Sequence, residues 1–416
     1  MAASKPGRMI APLAALLGAA TIGWLGLIGF TWSDYEAEAL PSVDALVHGH
    51  FARFASLAPP YGGSLLIRAP FALLPSLWSG GSLAVYRALA APCLLAAAVL
   101  GLWVFARMRN AGSSGLARGL TLALFACNPV TLSVLEYGHP EEILCACLCV
   151  AAVLLAAHDR PFLAGLLLGL AIGCKYWPVI AVGPVLLVLP SRRGRCLGGA
   201  ALGAMALLAP IALLAQHFVA VSSGAASTAS TIFQPWQAFW FVGVHGPLVH
   251  GTFGEAKPGF RTAPAWVGPI SHPLVVAVAF AAAIALWWRR RGRTLALGDA
   301  LLLLTLTMLL RCLLDTFDNV YYTLPFLFAL LTWESHAGRS FAAPRPAVLA
   351  LCAAALCWVS FEWLPKIASP DVESAFFLAW TVPLTLAFAL RLYTPPAVRA
   401  RAPKLLRARS APSATS

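Results

Sequence analysis

The chain has 416 residues, of which 60% are hydrophobic and only 11% are charged. Soluble globular proteins carry roughly 25% charged residues, so the composition excludes a water-soluble domain of this size. We therefore predict an all-α membrane protein, a polytopic helical bundle. The net charge of +13 comes mainly from basic clusters at segment ends, which is typical of cytoplasmic loops. No nucleic-acid-binding motif accompanies it, so membrane lipids rather than nucleic acid are the expected partners.

The first predicted span is Ile10 to Phe30, an uncharged stretch about one bilayer long. It follows Lys5 and Arg8, which predicts that residues 1–9 are cytoplasmic. A cleaved signal peptide is the alternative, but the residues after the span form a poor cleavage site.

Hydropathy predicts about twelve segments, within a range of roughly 10–13, in a membrane domain covering residues 10–392. The later segments are 83–106, 119–135, 143–157, 162–190, 196–214, 273–288, 295–314, 321–333, 347–361 and 375–392. Residues 162–190 are too long for one span, so they predict a hairpin of two short helices. Residues 393–416 predict a disordered, basic cytoplasmic tail. Both termini are then cytoplasmic, and the protein is expected in the plasma membrane.

The first predicted outer loop, residues 31–82, begins with Asp34 directly after the first span. A carboxylate at this interface could be a general base, or it could cap a helix. From Tyr35 to Leu57, apolar residues recur every three or four positions, which predicts an amphipathic helix on the outer membrane surface. A turn cluster containing Tyr61 follows, and Arg68 begins a second apolar stretch.

The loop of residues 136–142 brings three carboxylates and His139 together. With Glu141 and Glu142, this histidine could bind a polar substrate, relay protons or form part of a metal site. The acids could equally favour a helix N-terminus through its dipole. One histidine with one glutamate is only a fragment of a metal site, so no metal is predicted, although a divalent cation stays open.

Two cations lie beside predicted outer turns. Lys175 sits in apolar sequence next to Trp177, so its ammonium should face a cavity or partner, or snorkel to the interface. Near the outer leaflet it could bind a phosphate. Arg311 could pair with Asp315, four residues further along a helix. The second long outer loop, 216–272, mixes aromatic residues with amides, as sugar sites and interfacial belts both do.

Three stretches resemble the GT-C superfamily of polytopic glycosyltransferases, in particular the polyprenyl-phosphate-mannose-dependent mannosyltransferases of the phosphatidylinositol-mannoside type. They are Ser33-Asp34-Tyr35 with Pro60-Tyr61, Asn128-Pro129 with Gly138-His139-Pro140-Glu141-Glu142, and the run from Ala164-Gly165 to Lys175-Tyr176-Trp177-Pro178. The third is the most specific, and together they cover roughly Trp24 to Val188. That family usually has Asp-x-x-x-Tyr after the first span, whereas here Tyr35 follows Asp34 directly.

The resemblance implies an enzyme that moves a hexose, mannose in that family, from a polyprenyl-phosphate donor to a lipid or cell-envelope glycan acceptor. The transfer would invert the anomeric centre and take place on the extracytoplasmic face, without a cofactor. Asp34 is implied as the catalytic base, with Lys175 and Arg311 at the donor phosphate. The implied substrate-binding residues are Tyr35, Tyr61, His139, Glu141, Glu142 and Trp177. A transporter or flippase for a lipid-linked solute is the alternative, and it would favour charges midway along spans and repeat symmetry.

Overall fold

The structure is a computed structural model that describes residues 23, 34–227, 232–245, 249–250, 256–257, 261–337 and 347–394. Within these ranges the chain is almost entirely helical, apart from a few two-residue strands. The predicted cytoplasmic N-terminus, the first span apart from Gly23, and the tail beyond residue 394 lie outside the described residues. Their predicted topology therefore stays a prediction.

The helices begin near the predicted first loop and continue through every later predicted segment. They are α1 (Leu40–Val47), α2 (Phe51–Leu57), α3 (Gly62–Ala72), α4 (Ser82–Asn110), α5 (Gly115–Ala126), α6 (Pro129–Glu136), α7 (Glu141–Ala157), α8 (Pro161–Cys174), α9 (Val182–Val188), α10 (Arg193–Leu214), α11 (Gln216–Ser227), α12 (Val267–Arg289), α13 (Leu297–Leu314), α14 (Val320–Ala337), α15 (Val348–Trp358) and α16 (Pro370–Tyr393). A π-helical turn, Tyr35–Ala39, precedes α1.

In the described part of the chain, seven helical stretches are long and apolar enough to cross a membrane. They are Ser82–Asn110, Gly115–Glu136, Arg193–Leu214, Val267–Arg289, Leu297–Leu314, Val348–Lys366 and Pro370–Tyr393, and Pro161–Cys174 and Trp177–Val188 are shorter apolar helices. Large apolar side chains such as Val99, Leu213 and Leu390 are exposed on the helix surfaces, as a lipid solvent allows. The structure thus confirms a helical membrane protein but not the predicted count of about twelve segments.

The predicted hairpin at residues 162–190 is present as two short helices. Helix α8 ends at Cys174, Lys175 is extended, and a 3₁₀ turn at Trp177–Ala181 leads into α9. Pro178 fits the first turn of this second helix because it has no N–H to leave unpaired there. The break places Lys175 at the end of a helix rather than inside one.

Helices α8 and α10 approach each other closely through glycines. A Cβ atom built on Gly165 would lie 1.9 Å from the Cys196 backbone oxygen, and one on Gly169 would lie 2.0 Å from that of Ala200. Gly199 on α10 faces α8 in the same way. Small residues allow this backbone approach, which is a common way to pack helices in lipid. The contact fixes the position of the end of α8.

The predicted amphipathic helix from Tyr35 to Leu57 differs from the observed structure. The chain turns at Gly49, whose φ of +76° favours glycine, so α1 and α2 are separate helices. Val43 and Phe54 are buried in the protein core, while Phe51 is exposed. Much of the apolar face that suggested a membrane-surface helix therefore packs against the bundle instead.

The second predicted loop, 216–272, is helical at both ends, because α11 covers its start and α12 begins at Val267. Short antiparallel strands lie between them. They are β1 (Ile232–Phe233), β2 (Val244–His245), β3 (Val249–His250), β4 (Ala256–Lys257) and β5 (Arg261–Thr262), arranged as β1-β5-β2 and β3-β4. The backbone amides of Gln234 and Ala238 donate to Thr316 and Leu313, which holds this segment against the end of α13.

Candidate active site

Seven ionisable side chains that are distant in sequence meet at the ends of several helices. We call them the charged cluster: Asp34, Arg68, His139, Glu141, Glu142, Lys175 and Arg311. The side chain of Asp34 is 22% exposed, whereas the others are 10% exposed or less. Burial of so many charges is costly unless each has a partner. The partners form two connected groups, described next.

The first group joins Asp34 to His139 and Glu141. His139 Nε2 lies 3.3 Å from Asp34 Oδ2, and His139 Nδ1 lies 2.8 Å from Glu141 Oε1. Burial and the Lys175 ammonium act to lower the pKa of His139, but Glu141 and Asp34 outweigh them, so the pKa lies above its usual value. The two carboxylates therefore favour the imidazolium over the neutral ring, and the imidazolium donates from both nitrogens.

The loop that carries His139 is fixed by local sequence. Asn128 Oδ1 accepts a hydrogen bond from the Val130 N–H and caps α6, whose first residue is Pro129. After α6, Gly138 adopts a φ of +89°, and a Cβ atom there would lie 2.7 Å from the Tyr35 backbone nitrogen. Glycine is thus needed for the chain to turn while it lies against the segment that carries Asp34.

The second group joins Glu142 to Lys175 and Arg311. Lys175 Nζ donates to Glu142 Oε1 at 2.9 Å. Arg311 Nη2 and Nη1 donate to the two oxygens of Glu142 at 3.2 and 3.4 Å. The two predicted phosphate-binding cations therefore converge on one carboxylate, which neutralises much of their charge.

Aromatic rings surround these cations. The Arg311 guanidinium lies 4.0 Å from the centre of the Tyr322 ring and 4.6 Å from that of Trp177. The Lys175 ammonium lies between Tyr61 and Tyr321, at 5.3 and 5.4 Å. These cation–π contacts help to hold both cations in a partly desolvated position.

Arg68 also belongs to the charged cluster, although it was not among the predicted site residues. Its Nη2 lies 3.3 Å from Glu141 Oε2, and its Nε donates to the Ser64 backbone oxygen at 2.8 Å. It is the only ionisable side chain of the apolar helix α3. The same signal drew attention to Lys175, since a lone charge in apolar sequence needs a partner.

The structure brings most of the predicted site residues together. Asp34, His139, Glu141, Glu142, Lys175 and Arg311 belong to the charged cluster, and Tyr61 and Trp177 pack against it. The Tyr61 hydroxyl donates a hydrogen bond to Glu38 Oε2 at 2.8 Å, and the Tyr61 and His139 rings meet in a T-shaped contact. Tyr35 is buried beside the cluster, with its ring 4.6 Å from that of Tyr86. The roles assigned to these residues remain predictions.

Both glutamates and His139 already use their polar atoms within the protein. Glu141 and Glu142 are fully buried. The space lined by Tyr35, Tyr61, Arg68 and Glu141 is too narrow for a water molecule. Within the charged cluster, Asp34 is therefore the side chain most accessible from outside.

The local pair expected between Arg311 and Asp315 is replaced by longer-range contacts. Asp315 Oδ2 lies 3.4 Å from His272 Nε2, and its Oδ1 accepts the Phe317 N–H at 3.1 Å. Arg311 instead reaches Glu142. Asp318 is fully buried, and burial together with neighbouring Asp315 raises its pKa well above the usual range. Burial therefore favours the neutral form of Asp318, which lies close to the cluster.

Two tryptophans of the second loop contact the protein and not an open surface, whereas Phe241 and Trp266 are exposed. Trp236 Nε1 donates to the Ser360 backbone oxygen at 2.9 Å, and Trp240 Nε1 donates to Asp371 Oδ1 at 2.8 Å. Both rings are largely buried. They stabilise the loop. Within the described ranges, no group of three His, Cys, Asp or Glu side chains is arranged to hold a metal ion.

The helical bundle and its apolar surface define an integral membrane protein. The chain matches the family model "Glycosyltransferase family 87" over residues 58–314, which is more than half of its length. The protein therefore belongs to glycosyltransferase family 87 and is an enzyme that transfers sugar. The matched range contains Arg68, the two glutamates, Lys175 and Arg311, whereas Asp34 precedes it. The comparisons with curated proteins and with solved structures gave no match.

Proposed function

We propose that this glycosyltransferase moves a hexose, mannose in the family that the sequence resembles, from a polyprenyl-phosphate donor to a lipid or cell-envelope glycan. The observation that supports this most is the meeting of a part-exposed carboxylate, Asp34, with the buried cations Lys175 and Arg311. Sugar transfer from a lipid phosphate needs a base for the acceptor and positive charge for the leaving group. Both kinds of group are present in one cluster.

In the proposed reaction, Asp34 takes the proton of the acceptor hydroxyl. The acceptor oxygen forms a bond to the anomeric carbon from the face opposite the phosphate. The bond between that carbon and the phosphate oxygen breaks, and the lipid phosphate leaves with the electron pair. Attack from the opposite face inverts the anomeric configuration. Lys175 and Arg311 would stabilise the charge that develops on the leaving phosphate.

The donor phosphate would have to share its cations with Glu142. An ammonium has three N–H donors, and the hydrogen bonds from Lys175 to Glu142 and the contact with Glu141 use two of them. A guanidinium has five N–H donors, and Arg311 directs two to Glu142. Each cation thus has further donor capacity for a phosphate oxygen. We propose that the phosphate joins the existing ion pairs and does not replace them.

We also propose that the site opens on the extracytoplasmic face of the plasma membrane. Basic residues support this orientation because they lie at the opposite helix ends: Arg107 and Arg109 are in the last turn of α4, and Arg289 is in the last turn of α12. Cytoplasmic loops are enriched in such residues. Membership of a glycosyltransferase family favours sugar transfer as the function over transport or flipping of a lipid-linked solute.

The proposal is tested by turnover in lipid. Purified protein would receive polyprenyl-phosphate-mannose, or its arabinose analogue, with candidate lipid and glycan acceptors, and release of sugar-free polyprenyl phosphate would be measured. We expect Asp34→Asn to lower turnover by a factor of about 10²–10⁴, the usual contribution of a general base to the rate. The matched control is Asp44→Asn on α1, whose side chain is 68% exposed and pairs with His48. Wild-type turnover in Asp34→Asn would refute the assignment of the base.

A further inference from the structure

We propose that His139 is a positioning residue that holds the Asp34 carboxylate only while both ring nitrogens carry protons. Glu141 holds the ring in place through the other nitrogen, Nδ1. This inference rests on the proposed role of Asp34 as the base. Asp34 still takes the proton from the acceptor hydroxyl. His139 takes no proton from the substrate and acts through Asp34.

The first step of the argument is the hydrogen-bond chemistry of the ring. A carboxylate only accepts hydrogen bonds, and both nitrogens of His139 face carboxylates, at 2.8 Å for Glu141 and 3.3 Å for Asp34. A neutral imidazole has one donor and one acceptor nitrogen. It would therefore place a lone pair against one of the two carboxylates. Only the imidazolium satisfies both contacts.

The second step is that Glu141 is rigidly held, so loss of a proton affects the Asp34 side. Glu141 receives Arg68 on Oε2 at 3.3 Å and Lys175 on Oε1 at 3.2 Å, and it is fully buried. Asp34 is the more exposed partner and its contact is the longer one. When the ring loses a proton, we expect the Nδ1–H to stay with Glu141 and the Asp34 contact to fail.

The third step concerns the other groups that face the ring. Besides Asp34, from the segment before α1, and Glu141, from α7, the titratable side chains beside the ring are Tyr61 before α3, Lys175 after α8 and Tyr321 from α14. Lys175 disfavours the imidazolium, while the two carboxylates favour it and prevail, so the pKa of His139 is raised. The contact between His139 and Asp34 is therefore expected to weaken as the pH rises through this raised pKa.

The test is the pH dependence of kcat in the full-length protein, using the lipid-phosphate release assay. Wild type should show an alkaline limb from the loss of the His139 proton. In His139→Gln we expect a kcat about tenfold or more below that of wild type on the acid side of this limb. We also expect little change in KM and no such limb, because an amide does not titrate. Glu141→Gln removes one cause of the raised pKa and should move the limb to lower pH. His48→Gln, an exposed histidine beside Asp44, should keep the wild-type profile.

Thermal stability gives a second readout that needs no substrate. A group whose pKa is raised by folding contributes stability that is complete below its unfolded value, about 6.5 for histidine. That contribution is lost as pH rises through the folded value. The melting temperature of wild type should therefore exceed that of His139→Gln most below pH about 6.5, with a gap that narrows at higher pH.

The outcomes separate this inference from the proposed function. If Asp34→Asn turns over normally, the proposed base is wrong. If Asp34→Asn is inactive but His139→Gln keeps the wild-type alkaline limb, the positioning role is overturned while the base survives. If the alkaline limb of kcat keeps its wild-type position in Glu141→Gln, the role of Glu141 in holding the His139 ring is overturned in the same way. The two variants test the inference separately, so one of them is enough if the other does not fold.

Discussion

Glu142→Ala is expected to destabilise the protein by about 3–5 kcal/mol, the usual cost of removing one partner from a buried ion pair. Glu142 is fully buried, and its carboxylate is the shared acceptor of Lys175 and Arg311. Its removal leaves two desolvated cations facing each other with much less negative charge. The melting temperature in detergent should fall strongly, and less folded protein should be recovered.

Two further variants show whether the loss comes from unpaired charge. Lys175→Met in the Glu142→Ala background removes one of the two cations that have lost this carboxylate, so it should recover part of the lost stability. Asp44→Ala removes an exposed carboxylate and should change the melting temperature little, since exposed ion pairs contribute at most about 1 kcal/mol. A melting temperature of Glu142→Ala equal to that of wild type would contradict the described ion pairs.

Gly169→Ala is the second change with a large expected effect. The added methyl group would lie 2.0 Å from the Ala200 backbone oxygen, a distance that no side-chain rearrangement can relieve. Helices α8 and α10 would have to separate. We expect a loss at or above the upper end of the roughly 1–3 kcal/mol that overpacking costs. Because α8 ends next to Lys175, turnover should fall as well, measured by lipid-phosphate release beside the melting temperature.

Gly198→Ala is the matched control for this prediction. Gly198 lies on α10, and a Cβ atom there meets nothing within 4 Å. The substitution adds the same methyl group to the same helix pair without a clash. Since alanine favours a helix over glycine by roughly 1 kcal/mol, the melting temperature should stay the same or rise. Equal behaviour of Gly169→Ala and Gly198→Ala would show that the close approach of α8 and α10 is not present.

Much of the helical order follows from the sequence, because apolar length and helix breakers are local properties. The break at Lys175 was predicted in this way and is observed, whereas the predicted segment 119–135 is interrupted before Pro129. The nature of the segment from Tyr35 to Leu57 could not be predicted in the same way. An apolar stripe has the same spacing whether it faces lipid or another helix, and here much of it faces the bundle.

Most members of the charged cluster, our candidate site, were singled out from the sequence, but their contacts were not. Single charges in apolar sequence identified Lys175, and the same reasoning applied to α3 would have identified Arg68. The partner of Arg311 could not be found this way. Asp315 is four residues away, directly after the end of α13, whereas Glu142, the observed partner, is 169 residues away. Only tertiary packing decides between such a local partner and a distant one.

The charged cluster also sets an order for assembly during synthesis. Chains emerge from the ribosome N-terminus first, so Arg68 is already present when Glu141 is made. The two described ionic partners of Glu142 are made later: Lys175 follows it by 33 residues and Arg311 by 169. An unpaired charge is costly in lipid, so the N-terminus of α7 should remain in contact with water, or with a membrane insertion factor, until Lys175 is made. Truncations before Lys175 are therefore expected to insert α7 incompletely.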